Sequence, residues 1–76
     1  MAKYYMNSNK QSNGDYEVHT DSCEHGAKPD NQLHLGSFDS CAPAVSQAIT
    51  LYQDQVTKLD GNINGCYYCC NPCHTS

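Results

Sequence analysis

Apolar and polar residues alternate over three short stretches of the chain, and each stretch predicts a β-strand. Residues 3–7 are rich in tyrosine, residues 16–19 are Tyr-Glu-Val-His, and residues 32–36 place two leucines on one face of an extended segment. Between the first two stretches, Asn13-Gly14 favours a tight reversal of the kind that closes a hairpin. We therefore expect an antiparallel hairpin followed by a third strand.

The stretch that follows predicts an amphipathic helix over residues 41–58. Its apolar positions recur at steps of three and four residues: Val45, Ala48, Ile49, Tyr52, Val56 and Leu59. Ser40 precedes it as the N-cap, and Pro43 lies in the first turn, where its missing N–H would have no helical partner. We expect Gly61 to end the helix in the left-handed conformation, and Asn64-Gly65 to form a second turn.

Together these elements predict a small α+β fold with a two- or three-stranded antiparallel sheet, one amphipathic helix and a Cys-rich C-terminal turn. The 76 residues include nine Val, Ile and Leu residues, one Phe and no Trp, so the hydrophobic core is thin. A scaffold of this size usually needs a metal or disulfide bonds to be stable. No repeat or shift in composition divides the chain, and we expect a single domain over residues 1–76.

Six cysteines are the candidates for that extra stabilisation, and four of them lie within residues 66–73. Clustered cysteines form disulfides in exported proteins and bind metals more often in reducing compartments. The first residues contain no apolar run of the kind that a signal peptide needs, and no segment approaches the roughly 18 apolar residues of a membrane span. We therefore expect a cytoplasmic protein without a membrane segment, in which clustered cysteines bind metal.

The spacing of four residues predicts a structural zinc site. Cys66-x-x-Cys69 has the spacing of a zinc knuckle, in which two thiolates converge on one ion, and a glycine precedes it. His19-x-x-x-Cys23, at the end of the second predicted strand, is the natural second pair. The predicted cofactor is Zn²⁺ bound by His19, Cys23, Cys66 and Cys69. Glu24, beside Cys23, is the carboxylate closest to this site in sequence.

The other cysteines leave several alternatives open. Cys41, at the predicted start of the helix, is expected to be a small buried apolar residue, or a reactive thiol activated by the helix N-terminus. Cys70, Cys73 and His74 could form a second metal site, replace one ligand of the first, or stay free. Cys70-x-x-Cys73-His74 also matches the attachment motif for c-type haem, although little chain follows it to build a haem pocket.

The charge of the chain disfavours nucleic acid as a partner. Four lysines, no arginine and eight acidic residues give a formal net charge of −4, whereas nucleic-acid-binding domains usually carry a basic face. No phosphate-binding loop, nucleophile elbow or His-Glu-x-x-His motif is present, so no catalytic residue is predicted. Four good ligands also favour a closed zinc site over a catalytic one with an open position.

The order of these motifs resembles the Ada-like metal-binding domain, the zinc module of a bacterial DNA-methylation-repair protein. The resemblance covers residues 15–70 and is carried by His19-x-x-x-Cys23, the Leu-Gly-Ser-Phe strand, the helix and Gly-Cys66-x-x-Cys69. It implies the same four zinc ligands and a bacterial source. His19 stands where the repair protein has its first ligand cysteine, so the resemblance implies the fold and the metal rather than methyl transfer. The chain is also similar to small, uncharacterised, Cys-rich bacterial proteins.

Taken together, the sequence favours a non-enzymatic zinc domain that acts as a protein-binding or adaptor module. One alternative is a thiol-based redox or alkyl-acceptor protein with a reactive Cys41 or Cys70. A second is a nucleic-acid-binding accessory module, and a third is a secreted miniprotein with three disulfides.

Overall fold

The computed structural model describes residues 1–74 and shows an α+β fold with one helix and one sheet. The sheet contains β1 (Ala2–Asn7), β2 (Asp15–Thr20), β3 (Gln32–Phe38) and β4 (Asn62–Gly65). The helix α1 (Cys41–Lys58) has the predicted bounds. Short 3-10 turns lie at Pro29–Asn31 and Asn71–Cys73.

The sheet is mixed, which corrects the prediction of two or three antiparallel strands. Its strand order is β3-β1-β2-β4. β1 pairs antiparallel with β2, as the predicted hairpin requires, and antiparallel with β3 on its other side. β4 adds a fourth strand that runs parallel to β2, with Val18 opposite Gly65. A parallel neighbour needs a crossover connection, and α1 lies within it.

β4 was predicted as a turn because its composition is typical of turns. Asn62-Ile63-Asn64-Gly65 contains one β-branched residue among residue types that are depleted in strands. What makes it a strand is the pairing with β2 after α1 has returned the chain to the sheet. Local propensity carries no information about such a distant partner.

One face of the sheet packs against α1 and forms the hydrophobic core. The core residues are Tyr4, Met6, Tyr16, Val18, Leu35, Cys41, Ala44, Ala48, Val56, Cys66 and Cys70. The opposite face carries Tyr5 and His19, which are paired across β1 and β2 and fully buried although they lie outside that core. The loop after β2 covers this second face, where the hydroxyl of Tyr5 accepts a hydrogen bond from the Ala27 backbone N–H at 2.9 Å.

The apolar stripe of α1 agrees in part with the predicted one. Ala48 and Val56 are buried, and Val45 and Tyr52 pack against the core. Ile49 and Leu59 of the predicted stripe are exposed, whereas Cys41 and Ala44 are buried in addition. Alanines at the contact let the helix approach the sheet closely, so a thin core is still well covered.

The helix also ends differently from the prediction. Asp60, not Gly61, has the left-handed conformation, with φ of 57°. The Gly61 N–H donates to the carbonyl of Val56 at 2.9 Å and the Asp60 N–H to that of Thr57 at 3.1 Å, which is the Schellman arrangement. Gly61 is needed for a different reason: a Cβ at this position would lie 2.5 Å from the ring of Tyr16.

Candidate metal centre

The parallel pairing of β2 and β4 brings the two predicted ligand pairs together. His19 lies in β2 and Cys23 in the turn that follows it, whereas Cys66 directly follows β4 and Cys69 lies in the next turn. The Cys66 N–H continues the ladder by donating to the carbonyl of Val18 at 2.9 Å. Because both strands run in the same direction, the segments that leave them emerge at the same edge of the sheet.

The spacing of the four candidate ligand atoms is close to that of a tetrahedral site. One nitrogen of His19 and the sulfurs of Cys23, Cys66 and Cys69 all lie within 4.8 Å of one another. The sulfurs of Cys23 and Cys66 are 3.9 Å apart, and that of Cys69 is 3.8 Å from Nδ1 of His19. Ligand atoms about 2.1–2.3 Å from one tetrahedral ion lie about 3.4–3.8 Å apart. Shifts of about 1 Å or less would therefore bring all four to that geometry.

Backbone amides point at the sulfur atoms of this cluster. The Thr20 N–H donates to the sulfur of Cys69 at 3.4 Å, and the His25 N–H donates to that of Cys23. The sulfur of Cys66 accepts from the N–H groups in the turn after it, those of Tyr68 and Cys69. A turn closed by the Cys70 N–H on the carbonyl of Cys66, at 2.8 Å, holds these donors in place. Such donors favour negative charge on sulfur.

Burial acts against that charge in the absence of a cation. Burial raises the pKa of Cys66, although its amide donors lower it, and burial also raises the pKa of Cys23, with the neighbouring Cys69 as the next cause. Burial lowers the pKa of His19, and the nearby His25 lowers it further, so the imidazole is neutral at pH 7. A neutral imidazole beside three sulfurs is the donor set that a soft or borderline cation such as zinc accepts.

One carboxylate that the ligand spacing did not predict contacts this cluster. Glu17 lies on the same face of β2 as His19, and its Oε1 is 3.8 Å from Nε2 of His19. Glu24, the carboxylate singled out from the sequence, is exposed. The period-two pattern Glu-x-His in a predicted strand was the available signal, since it places both side chains on one face.

The remaining cysteines do not form a second metal site in the structure. Cys41 and Cys73 form a disulfide bond that joins the start of α1 to the Asn71–Cys73 turn. Cys41 is buried as predicted, but its bond to Cys73 was not, and this bond is none of the three alternatives left open for Cys73. Within residues 1–74, the structure has this one disulfide rather than three.

The disulfide and the burial of Cys70 also bear on the alternatives left open by the sequence. Two residues of the haem-attachment motif have other partners in the structure. Cys73 is in the disulfide, and Nδ1 of His74 lies 2.9 Å from the carbonyl oxygen of Gly65. Cys70 is fully buried, with its sulfur 4.0 Å from that of Cys69. Burial, followed by the nearby Cys69, raises the pKa of Cys70 to about 12. Neither Cys41 nor Cys70 is therefore an activated nucleophile in this structure.

Exposed aromatic rings surround the second ligand pair. Tyr68 stacks on His25 with ring centroids 3.7 Å apart, and Tyr67 meets Tyr68 edge to face at 5.4 Å. Tyr67 is 57% exposed and Tyr68 is 66% exposed. The stack links the turn that contains Cys23 to the turn that follows Cys66.

Comparison of the chain with protein-family models, with curated proteins and with solved structures finds no match. Within residues 1–74, no helix combines the length and the apolar character needed to cross a membrane.

Proposed function

We propose that this chain is a small binding module whose fold is stabilised by one structural Zn²⁺ ion, bound by His19, Cys23, Cys66 and Cys69. The observation that carries the proposal is the convergence of four ligand atoms, from two distant parts of the chain, within 4.8 Å. The amide donors aimed at the sulfurs support it, because such donors stabilise an anionic sulfur more than a neutral thiol.

The donor set supports zinc over other common cations. Three thiols and one imidazole are soft or borderline ligands, whereas calcium and magnesium are bound by oxygen atoms. Four protein ligands fill a tetrahedral shell and leave no open position for a substrate, which is why we propose a structural and non-enzymatic role. The order of the ligand pairs around the helix is also the basis for proposing a relationship to the Ada-like metal-binding domain.

We propose a protein as the partner of this module. The net charge of −4 disfavours a polyanion, and the exposed rings of Tyr67 and Tyr68 are side chains of a type enriched at protein interfaces. These rings flank the ligand turns, so the metal would hold the proposed contact surface in shape.

Metal content and the effect of chelation test the zinc proposal. We expect native mass spectrometry to find one zinc per chain, and a strong chelator to unfold the protein as seen by circular dichroism. Structural zinc contributes an apparent binding free energy of about 10–16 kcal/mol in small domains. A chain of this length has a free energy of unfolding of roughly 4–11 kcal/mol. The binding free energy that is lost with the zinc is therefore as large as or larger than the stability of the fold.

Matched variants separate the ligands from their neighbours. Cys66→Ser and His19→Ala should each abolish zinc retention. Cys70→Ala, which removes a buried thiol next to the site, and His34→Ala, which removes an exposed histidine, should retain it. Equal zinc retention by all four variants would contradict the proposal. So would a wild-type protein that binds no zinc.

A further inference from the structure

The two ring nitrogens of His19 face different groups. Nδ1 lies 3.8 Å from the sulfur of Cys69, inside the cluster of ligand atoms. Nε2 points away from the cluster and lies 3.8 Å from Oε1 of Glu17. Nε2 is buried and has no hydrogen-bond partner among the described residues 1–74. In the tautomer that carries its proton on Nε2, a buried N–H without a partner costs about 1–3 kcal/mol, so that tautomer requires an acceptor here.

Glu17 is held where it can be that acceptor. Strand alternation places Glu17 and His19 on the same face of β2. Oε1 of Glu17 also accepts a hydrogen bond from Nε2 of Gln11 at 2.7 Å, and the residue is only 9% exposed. A charge-assisted N–H···O bond is about 2.8 Å long, so an approach of about 1 Å would complete the contact with His19.

We propose that Glu17 is a positioning residue of the metal site: its carboxylate accepts a hydrogen bond from the Nε2–H of His19 and so fixes the imidazole with Nδ1 toward the metal. The inference rests on the proposed zinc site and deepens it, since it assigns the ligating nitrogen and adds a residue that does not touch the ion. Carboxylates that accept the free N–H of a ligand histidine fix its tautomer and increase its basicity. Gln11 supports the arrangement by donating a hydrogen bond to the same oxygen, Oε1 of Glu17.

The sequence offers a matched control for the charge of Glu17. Glu24 is next to the ligand Cys23 along the chain, but it is exposed and no contact of it with His19 is found in the structure. Glu24→Gln therefore removes one negative charge near the site without removing an acceptor from the imidazole. Glu17→Gln removes the same charge with almost no change in side-chain shape, so a folding defect is not expected, and it replaces a carboxylate acceptor of the imidazole by the weaker amide oxygen.

Zinc competition against a chromophoric chelator provides the first test. We expect Glu17→Gln to weaken Zn²⁺ binding by roughly 10–100-fold, as loss of such a carboxylate typically does. Glu24→Gln should stay within about twofold of the wild type, and Gln11→Ala should fall between the two. Equal affinity in Glu17→Gln and the wild type would overturn the inference while leaving the zinc site intact, whereas a wild type without zinc would overturn both.

A long-range ¹H–¹⁵N spectrum of the zinc-loaded wild type gives a second readout that requires no variant. We expect His19 to show a metal-bound Nδ1 and a protonated Nε2. A metal-bound Nε2 would overturn the assignment, even if Glu17→Gln weakened binding for another reason. This readout reports which nitrogen of His19 binds the metal, and it does not depend on whether Glu17 also stabilises the fold.

Discussion

At the scale of single residues, Tyr5 packs beside the candidate metal site. Its ring lies 5.5 Å from that of His19, and its hydroxyl accepts the Ala27 N–H at 2.9 Å. Gly26 lets the loop approach this hydroxyl, because a Cβ there would overlap the oxygen. A single tyrosine therefore connects His19 to the loop that contains Cys23.

Tyr5→Phe should consequently lower the free energy of unfolding by about 1–3 kcal/mol, because the Ala27 N–H loses its partner in a part-buried position. Chemical denaturation of the metal-loaded protein measures this change. Tyr67→Phe, which alters an exposed ring, should change stability by less than about 0.5 kcal/mol. Equal effects of the two substitutions would show that the Tyr5 hydroxyl contributes nothing to holding the loop.

At the scale of elements, the end of α1 depends on two adjacent residues with different roles. Asp60 has a φ of 57°, a conformation that glycine adopts without steric cost, while Gly61 lies against the ring of Tyr16. We expect Asp60→Gly to raise the free energy of unfolding by about 0.5–1 kcal/mol and Gly61→Ala to lower it by about 1–3 kcal/mol. Thermal denaturation of the two variants checks both signs, and a destabilised Asp60→Gly would contradict the proposed relief of strain.

The sequence predicted the elements that have a strong local pattern. The stepwise apolar spacing defined the bounds of α1, and alternation with Asn13-Gly14 predicted the hairpin of β1 and β2. β4 was missed because its strand character comes from pairing with β2 across the whole of α1. The role of Gly61 was misassigned because contact with Tyr16 is likewise a tertiary feature.

In the candidate site, too, the local pattern predicted some residues, whereas tertiary contacts determine the others. The spacings His-x-x-x-Cys and Cys-x-x-Cys identified the four residues that the structure brings together. Glu17 required knowledge of which strand face is buried, and the partner of Cys41 required the position of the C-terminal turn against α1. Neither is encoded by spacing along the chain.

At the scale of the whole molecule, the Cys41–Cys73 disulfide closes a loop with a sequence separation of 32 that contains α1, β4 and the second ligand pair. Chain-entropy arguments give such a loop about 3–4 kcal/mol of stabilisation. We expect the double variant Cys41→Ala/Cys73→Ala to lose about this amount in urea denaturation, with zinc present throughout. Wild-type protein treated with a reductant should behave like the double variant.

A thiol count tests the same disulfide without substitution. Denatured, metal-free and unreduced protein should expose four free thiols per chain, those of Cys23, Cys66, Cys69 and Cys70. After reduction the count should rise to six. A count of six before reduction would show that the bond between Cys41 and Cys73 does not form.

The position of β1 has a mechanical consequence. β1 lies inside the sheet with β3 on one side and β2 on the other, whereas β4 is an edge strand that pairs with β2 alone. A pulling force along β1 would have to shear two hydrogen-bonded ladders at once, but a force on β4 would shear only one. The resistance of this molecule to stretching should therefore depend on which strand is pulled, with its weaker side at the strand that leads directly into Cys66.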